Sequence, residues 1–153
     1  MGMEHMLIRQ ARAADQGAVV ACVRAAYSKY LVRLGKGPAP LHADYTALIA
    51  QEVVYVLANE EEVRGVLVMM PRERSMFVEN IAVTPRFQGQ GWGQMLMAFV
   101  EQESREAQLH EIRLYTNELM AENLRFYQKL GFEEEGRRVE DGYHRVFLRK
   151  GLG

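Results

Sequence analysis

The sequence predicts an α/β fold in which one mixed β-sheet carries helices on both faces. Three observations support this: β-rich apolar runs bounded by turn residues, helical stretches with apolar residues on one face, and the order in which the two alternate. Along the chain this order is β-α-α-β-β-β-α-β-α-β-β, a meander followed by a β-α-β crossover. The length of 153 residues predicts a single domain, 1–153.

The first strand and the first helix are predicted within the first 31 residues. Residues 6–11 form a β-rich run, and Asp15 can cap the helix that follows. One face of this helix is apolar and contains Val20, Val23, Tyr27, Tyr30 and Leu31.

A surface loop, a short helix and a hairpin are predicted next. Glycines and prolines in residues 35–40 favour a loop, and residues 44–51 can form the short helix. The β-rich runs 53–58 and 63–70 flank the polar residues 59–62, which indicates a β-hairpin.

The C-terminal half supplies the crossover and a second hairpin. Gly131 ends its second helix, and Asp141-Gly142 is a strong hairpin turn. The predicted elements are strand 76–83, helix 92–107, strand 111–116, a helix containing Met120, Leu124 and Tyr127, and strands 132–138 and 143–149.

Charge and cysteine content exclude several function classes. The 19 basic and 20 acidic residues give a net charge of −1, which offers no overall attraction to nucleic acid or to an anionic membrane. Cys22 is the single cysteine and lies in an apolar helical stretch, so a packed thiol is favoured over a catalytic one. The four histidines have no metal-ligand spacing, and no apolar run is long enough to span a bilayer. We expect a cytoplasmic protein without a bound metal.

The glycine-rich loop 88–93 is the most specific functional signal. It joins the strand 76–83 to a helix, and glycines there let the backbone approach an anion closely. The free N–H groups and the positive dipole end of the helix favour phosphate at this position. The spacing fits neither the dinucleotide fingerprint GxGxxG nor a P-loop.

Two segments carry a family resemblance. The stretch 79–93 resembles the signature of the GNAT acetyltransferase superfamily, whose ending Arg/Gln-x-x-Gly-x-Gly/Ala is matched by Gln88, Gly91 and Gly93. The stretch 126–132, Phe-Tyr-Gln-Lys-Leu-Gly-Phe, is similar to the second family signature. The resemblance implies a twisted, mainly antiparallel sheet of about seven strands with about four helices. It also implies acetyl transfer from acetyl-CoA to a primary amine of a small molecule or peptide.

The resemblance also assigns coenzyme-binding residues. Gln94 stands where the family often has Arg or Lys, so phosphate affinity would rest on backbone donors, with Arg86 as a candidate cation. The pantetheine arm would pair with backbone groups of Ile81, Ala82 and Val83. The pyrophosphate would meet Gln88, Gly89, Gln90, Gly91, Trp92, Gly93 and Gln94.

Tyr127 and Glu79 are the predicted catalytic residues. Tyr127 matches the family tyrosine that acts as general acid toward the coenzyme A thiolate; the alternative is simple packing on its helix. Glu79 interrupts a row of apolar residues that alternation places on one face of its strand, which makes it a candidate base. A strand bulge would alter that alternation, and a salt bridge or a place at the sheet edge would leave Glu79 a structural residue.

Polar residues near Tyr127 are candidates for both substrates. Many family members have an asparagine seven residues before the tyrosine, where this chain has Met120. Asn123 is therefore the substitute expected to contact the coenzyme, and Asn117 is expected near the acceptor; Asn80 is a further candidate. The acceptor pocket is also expected to involve Tyr30, Tyr45, Tyr115 and Lys36.

The acceptor and the oligomeric state stay open. Lys29, Arg33 and Lys36 weakly favour an acceptor with negative character over a polyamine. A non-catalytic acyl-CoA-binding or regulatory module on the same fold is the alternative function, and a nucleic-acid-binding domain is a more distant one. Dimerisation through edge strands also remains open.

Overall fold

The computed structural model describes residues 5–31, 35 and 39–153. Within these ranges it contains one seven-stranded sheet and four α-helices, as the sequence predicts. The strands are β1 (Leu7–Gln10), β2 (Val54–Ala58), β3 (Val63–Arg72), β4 (Ser75–Val83), β5 (Glu111–Asn117), β6 (Glu133–Glu140) and β7 (Tyr143–Gly151). The helices are α1 (Gln16–Tyr27), α2 (Tyr45–Ala50), α3 (Trp92–Glu106) and α4 (Ala121–Lys129).

The sheet has the strand order β1-β2-β3-β4-β5-β7-β6. All neighbouring strands are antiparallel except β4 and β5, which are connected through α3 and run parallel. The predicted mixed, mainly antiparallel sheet is therefore confirmed. No helix in the described ranges combines the length and the apolarity needed to cross a bilayer.

Helices cover both faces of the sheet, and each face has its own core. On one face α1 and α2 pack against β2, β3 and β4, with Val23, Val56 and Val68 fully enclosed. On the other face α3 and α4 pack against the centre of the sheet, around residues such as Leu96 and Leu114. The burial of these aliphatic side chains is the main force holding the helices to the sheet.

The start of α1 differs from the prediction in one respect. Asp15 is the residue before the helix, but its carboxylate does not cap the helix. It accepts a hydrogen bond from the Arg12 backbone N–H at 2.7 Å and pairs with the Arg9 guanidinium at 2.8 Å. The charged partner on β1 outcompetes the helix N–H groups, and the pair lowers the pKa of Asp15.

Candidate active site

A crevice opens where β4 and β5 diverge. The two strands pair only over residues 75–78 and 111–114. Beyond this point β4 continues to Val83 with β3 alone as its hydrogen-bonded neighbour, while β5 continues beside β7. Residues 79–83 therefore present one unpaired backbone edge to the crevice, within the described sheet.

A bulge in β4 lies at the mouth of this crevice. Val68 pairs with Asn80 and Met69 pairs with Val78, so Glu79 is the extra residue of the bulge. Val78 and Ile81 consequently both face the α3 side. The unbroken alternation that placed Glu79 in one row with Phe77 and Ile81 is thus wrong, and the bulge that would alter it is present.

The groove beside the glycine-rich loop, called here the loop groove, has a volume of about 260 Å³. Gly89 and Gly91 have φ angles of 79° and 91°, a conformation that favours glycine, and a Cβ at either would meet no atom within 4 Å. The loop backbone is therefore openly accessible. Its lining residues are Ile81, Val83, Phe87, Gln88, Gly89, Gly91, Trp92, Gly93, Gln94 and Phe126.

The N-terminal turn of α3 lies in the loop groove. The first intrahelical bond runs from the Met95 N–H to the Gly91 carbonyl, so earlier N–H groups of the helix have no partner within it. Such donors, together with the helix dipole, are suited to an anion. Gly93 is needed for packing as well, because a Cβ there would lie 3.1 Å from the Phe126 ring.

The buried Arg64 packs against the start of the loop at Phe87. The Arg64 guanidinium lies 4.1 Å from the centre of the Phe87 ring and pairs with Glu62 at 2.9 Å. Glu62 also pairs with Arg86 at 2.6 Å. Arg86, the expected phosphate cation, is therefore engaged with a carboxylate, and the backbone donors remain the principal anion ligands.

The second cavity, called here the tyrosine cavity, lies on the other side of Ile81 and has a volume of about 130 Å³. Ile81 lines both cavities, so the two adjoin at this residue of β4. Five tyrosines line it: Tyr27, Tyr45, Tyr115, Tyr127 and Tyr143. Its other polar lining residues include Glu79, Asn80, Asn117, Asn123 and Arg145.

Tyr127 is held rigidly in the cavity wall. Its ring makes edge contacts with Phe126 at 5.2 Å and Phe132 at 5.6 Å, and only 5% of the residue is exposed. Burial raises the pKa of its phenol well above the usual value of 10.0, so the phenol stays protonated at physiological pH. The hydroxyl is therefore a fixed hydrogen donor.

A hydrogen-bond chain ties β4 to the helices on the other face. The Tyr27 hydroxyl donates to Asn80 Oδ1 at 2.7 Å, and Asn80 Nδ2 donates to the Tyr45 hydroxyl at 3.1 Å. Tyr45 in turn donates to the Pro40 carbonyl at 2.7 Å. Asn80 is only 4% exposed, and both of its amide atoms are used. The chain therefore fixes the bulge that carries Glu79.

Tyr115 lies near charged side chains of both signs. Burial raises the pKa of its phenol, Arg145 lowers it, and Glu79 raises it. The Arg145 guanidinium stacks on the Tyr115 ring at 4.2 Å and pairs with Glu140 at 2.9 Å. A carboxylate and a guanidinium thus both border the cavity at Tyr115.

Part of the sequence matches a known domain family. Residues 50–134 match the sequence profile of the acetyltransferase (GNAT) domain, which is more than half of the chain. The chain belongs to the GNAT acetyltransferase family. None of the curated protein sequences compared with it matches significantly.

Solved structures of other proteins share the fold. The PaiA N-acetyltransferase of Thermoplasma acidophilum, in complex with coenzyme A, superposes with a TM-score of 0.81 at 13% identity, covering 97% of this chain and 99% of that one. YncA of Salmonella typhimurium with its cofactor acetyl-CoA gives 0.74 at 20%, covering 98% and 95%. The ribosomal-protein-S18-alanine N-acetyltransferase of Escherichia coli gives 0.75 at 16%, covering 97% and 95%. At these identities the likeness establishes the fold.

Most of the predicted site residues come together in the two cavities of this GNAT domain. In the loop groove lie Ile81, Val83, Gln88, Gly89, Gly91, Trp92, Gly93 and Gln94. In the tyrosine cavity lie Glu79, Tyr115, Asn117, Asn123 and Tyr127, together with Tyr45 and Asn80. Asn123 was expected on the coenzyme and lines the tyrosine cavity instead of the loop groove.

The side chains of three predicted residues line neither cavity, although Ala82 and Gln90 were predicted for their backbone groups. Tyr30 is 2% exposed within the core on the α1 side and does not line the tyrosine cavity. Ala82 packs into the same core and pairs with Val66 of β3, which directs it away from the crevice. The Gln90 side chain bonds to the Arg86 carbonyl and to Trp92 on the surface.

Gln88 has a second role, and of the three predicted basic residues only Lys29 lies in the described part of the chain. The Gln88 side chain donates to the Val83 carbonyl at 2.8 Å, so it braces the loop in addition to lining the groove. Arg33 and Lys36, which suggested an anionic acceptor, lie outside the described residues, while Lys29 pairs with Glu122 at 3.8 Å.

Sequence reasoning missed Tyr27, Tyr143 and Arg145 as cavity residues. Tyr27 was placed on an apolar helix face, and only its hydroxyl reaches the polar side. Alternation along β7 puts residues 143, 145 and 147 on one face, which was an available signal. Alternation alone does not give the register of β7 with β5, in which Arg145 lies opposite Asn117.

Proposed function

We infer that the protein is an N-acetyltransferase that moves an acetyl group from acetyl-CoA to a primary amine of a small molecule or peptide, by direct attack in a ternary complex. The observation that carries this proposal is that the loop groove and the tyrosine cavity share Ile81 and so lie next to each other along β4. The open backbone donors of the glycine-rich loop line the groove, and the Tyr127 phenol lies in the wall of the cavity. One sheet contains all seven strands, which supports treating residues 1–153 as one domain.

The residues present fit coenzyme A. The N–H groups of residues 89–94 are suited to the diphosphate, since the glycine backbone is open and the helix dipole favours negative charge. The edge of β4 at Ile81 and Val83 has no neighbouring strand, and its N–H groups are suited to the carbonyl groups of a pantetheine arm. The carbonyl oxygens of these two residues accept hydrogen bonds from the Tyr27 hydroxyl and the Gln88 side chain. Bound there, acetyl-CoA supplies the activated acyl group.

Glu79 accepts the proton in this mechanism. The acceptor enters as an ammonium ion and loses a proton to the Glu79 carboxylate, directly or through water. The neutral nitrogen attacks the thioester carbonyl carbon, so that the C–N bond forms and the C–S bond breaks with its electrons on sulfur. The second proton that the nitrogen loses passes to sulfur by way of Tyr127, and the first proton leaves Glu79 for solvent. The bulge and the Asn80 hydrogen-bond chain hold Glu79 in place for this step.

Tyr127 faces the departing sulfur. Because a thiol ionises near pH 8.5 and burial raises the pKa of this phenol, Tyr127 is the weaker acid. It therefore stabilises the developing thiolate chiefly by donating a hydrogen bond, and sulfur finally takes a proton through it. The products are the acetamide and coenzyme A.

Direct attack is favoured over an acyl-enzyme. The residues that line the tyrosine cavity in the described part of the chain include no cysteine, serine, histidine or lysine. Cys22 is buried among core residues, and burial raises the pKa of its thiol, so its nucleophilic form is disfavoured.

A coenzyme A release assay tests the proposal. Purified protein is incubated with acetyl-CoA and a panel of amino acids, peptides, polyamines and aminoglycosides, and free thiol is measured. We expect amine-dependent thiol release with at least one class of acceptor. Stabilisation by acetyl-CoA without turnover of any amine would instead identify a non-catalytic acyl-CoA-binding module.

A further inference from the structure

Arg145 is a cation with unused donors at the edge of the tyrosine cavity. Its side chain is only 14% exposed, and its Nη1 donates to Glu140 at 2.9 Å. Among the described residues no other acceptor bonds to Arg145. A guanidinium has five N–H donors in a planar fork that matches a carboxylate, so most of its donors remain for a ligand.

The position of Arg145 is fixed by its surroundings. The ring of Tyr115 lies 4.2 Å from the guanidinium carbon and the ring of Tyr143 lies 5.6 Å from it. Glu140 forms an ion pair with one nitrogen of the guanidinium. A cation that is already ordered in this way loses little side-chain entropy when it binds a ligand.

The cavity therefore carries two opposite charges at separate places on its wall. Among the described residues that line the cavity, Arg145 and Glu79 are the charged ones. A ligand with a positive and a negative group would match this pattern, whereas a polyamine would bring a second cation toward Arg145.

We propose that the acceptor is a free amino acid or a similarly small amino carboxylate, with its amine toward Glu79 and its carboxylate on the open donors of Arg145. This assignment rests on the proposed acetyltransferase function and specifies its substrate class. The cavity of about 130 Å³ is small beside the roughly 300–1,000 Å³ of sites for drug-sized ligands. A peptide N-terminus carries an amide where the proposed acceptor carries its carboxylate.

The test compares each of the twenty amino acids with its carboxamide as acceptor, at saturating acetyl-CoA. The carboxamides have less basic amines, so a larger fraction is in the reactive neutral form. Without recognition of the carboxylate they should react faster. We expect the reverse for the wild-type protein, with kcat/KM at least tenfold higher for the best amino acid than for its carboxamide.

The Arg145→Gln variant isolates the side chain responsible. We expect KM for the carboxylate acceptor to rise about tenfold to a hundredfold, as for lost hydrogen bonds to a charged group. The KM values for its carboxamide and for acetyl-CoA should change less than twofold. Arg145→Lys keeps the positive charge and loses the planar set of donors. Its KM for the carboxylate acceptor should lie between those of the wild-type protein and Arg145→Gln.

Arg138→Gln is the matched control. Arg138 lies opposite Arg145 in the β6–β7 register and stacks on Phe147 at 4.1 Å, but it does not line the tyrosine cavity. We expect wild-type kinetics from this variant. A thermal melt of each variant with acetyl-CoA verifies that folding is intact.

Separate results would overturn the two proposals. Turnover of carboxamides, peptides or polyamines in preference to every amino acid would refute the amino carboxylate acceptor and leave acetyl transfer standing. An equal rise in KM for both members of a pair in Arg145→Gln would also refute it. Failure of every amine to react would refute the acetyltransferase function and this inference with it.

Discussion

The loop groove and the tyrosine cavity are built from different parts of the polypeptide. The groove consists largely of consecutive backbone between Val83 and Gln94, with glycines where left-handed φ angles are required. The cavity consists of side chains from α1, α2, β4, β5, α4 and β7, together with the loops next to them. A short sequence motif can encode the first, whereas only the complete fold assembles the second.

The groove is suited to a function that a whole family shares, and the cavity to the specificity of one protein. Backbone N–H groups offer the same donors whatever the surrounding side chains, so a groove of this kind can bind the same diphosphate throughout a family. Specificity for the acceptor requires placed charges and shapes, which the cavity draws from separate elements. Variants in the groove should therefore change coenzyme affinity, and variants in the cavity should change turnover or acceptor choice.

The largest effect is expected from Tyr127→Phe in the cavity. Loss of the hydroxyl removes the donor to the leaving sulfur, and kcat should fall about a hundredfold, within the range for general acid catalysis. KM for acetyl-CoA should change little, because the ring and its contacts with Phe126 and Phe132 remain. Steady-state kinetics of thiol release measure both constants.

Tyr55→Phe is the control for this variant. Tyr55 stacks on Phe99 at 5.4 Å and lies outside both cavities, so its hydroxyl should not affect turnover. If Tyr127→Phe retained more than half of the wild-type kcat, the donor role of this phenol would have to be abandoned.

The second effect is expected from Glu79→Gln, also in the cavity. Loss of the proton acceptor should lower kcat/KM for the amine about tenfold at pH 7, at the weaker end for a general base because water can also take the proton. The deficit should shrink toward high pH, where the acceptor is already neutral. Glu135→Gln, which alters an ion pair with Arg113 outside the tyrosine cavity, should behave as wild type. A pH-rate profile identical in shape and height to the wild-type profile would remove Glu79 from the mechanism.

A smaller effect is expected from Gly91→Ala in the loop groove, and it should change coenzyme binding instead of turnover. Its φ of 91° costs a non-glycine residue about 1–2 kcal/mol, which distorts the loop and should raise KM for acetyl-CoA at least about fivefold. At saturating acetyl-CoA, kcat should stay near wild type. Gly17→Ala lies in α1 with open space around it and should leave both constants unchanged. A lower kcat with an unchanged KM would show that the groove and the cavity are not separable.

The smallest effect per residue concerns stability at alkaline pH. Burial raises the pKa values of Tyr27, Tyr45 and Tyr127, so the folded protein favours the neutral phenols. Their contribution is complete below the unfolded pKa of about 10 and is lost as pH rises through the folded values. The buried Cys22 thiol, whose pKa is also raised, would add a fall from about pH 8.5, so the test uses Cys22→Ala as the background. In that background the free energy of unfolding in urea should be nearly flat from pH 8 to 9 and should fall by about 1 kcal/mol per tyrosine at pH 11. Adding Tyr45→Phe should give a shallower fall, and a fall in the background protein that begins below pH 9 would contradict this reading.

The sequence was sufficient for the element order and the loop groove. Periodicity located each helix and strand to within a few residues, and the glycine spacing located the loop that lines the groove. Tyr127 was also found by motif, because it is part of the segment 126–132 that resembles the second family signature.

The tyrosine cavity was only partly predictable. The position of Glu79 depends on a bulge set by the pairing of β3 with β4, and no local pattern reveals which residue is extra. Arg145 reaches the cavity because β7 pairs with β5, a contact between distant segments. Asp15 failed as a helix cap for a similar reason, since its partner Arg9 comes from β1.

The most direct test of the central claim is a crystal structure of the protein with acetyl-CoA. The diphosphate should lie against the backbone N–H groups of residues 89–94, and the pantetheine arm should follow β4 past Ile81. The thioester sulfur should then be within hydrogen-bonding distance of the Tyr127 hydroxyl. A coenzyme bound outside the loop groove, or a thioester that does not enter the tyrosine cavity, would contradict the account.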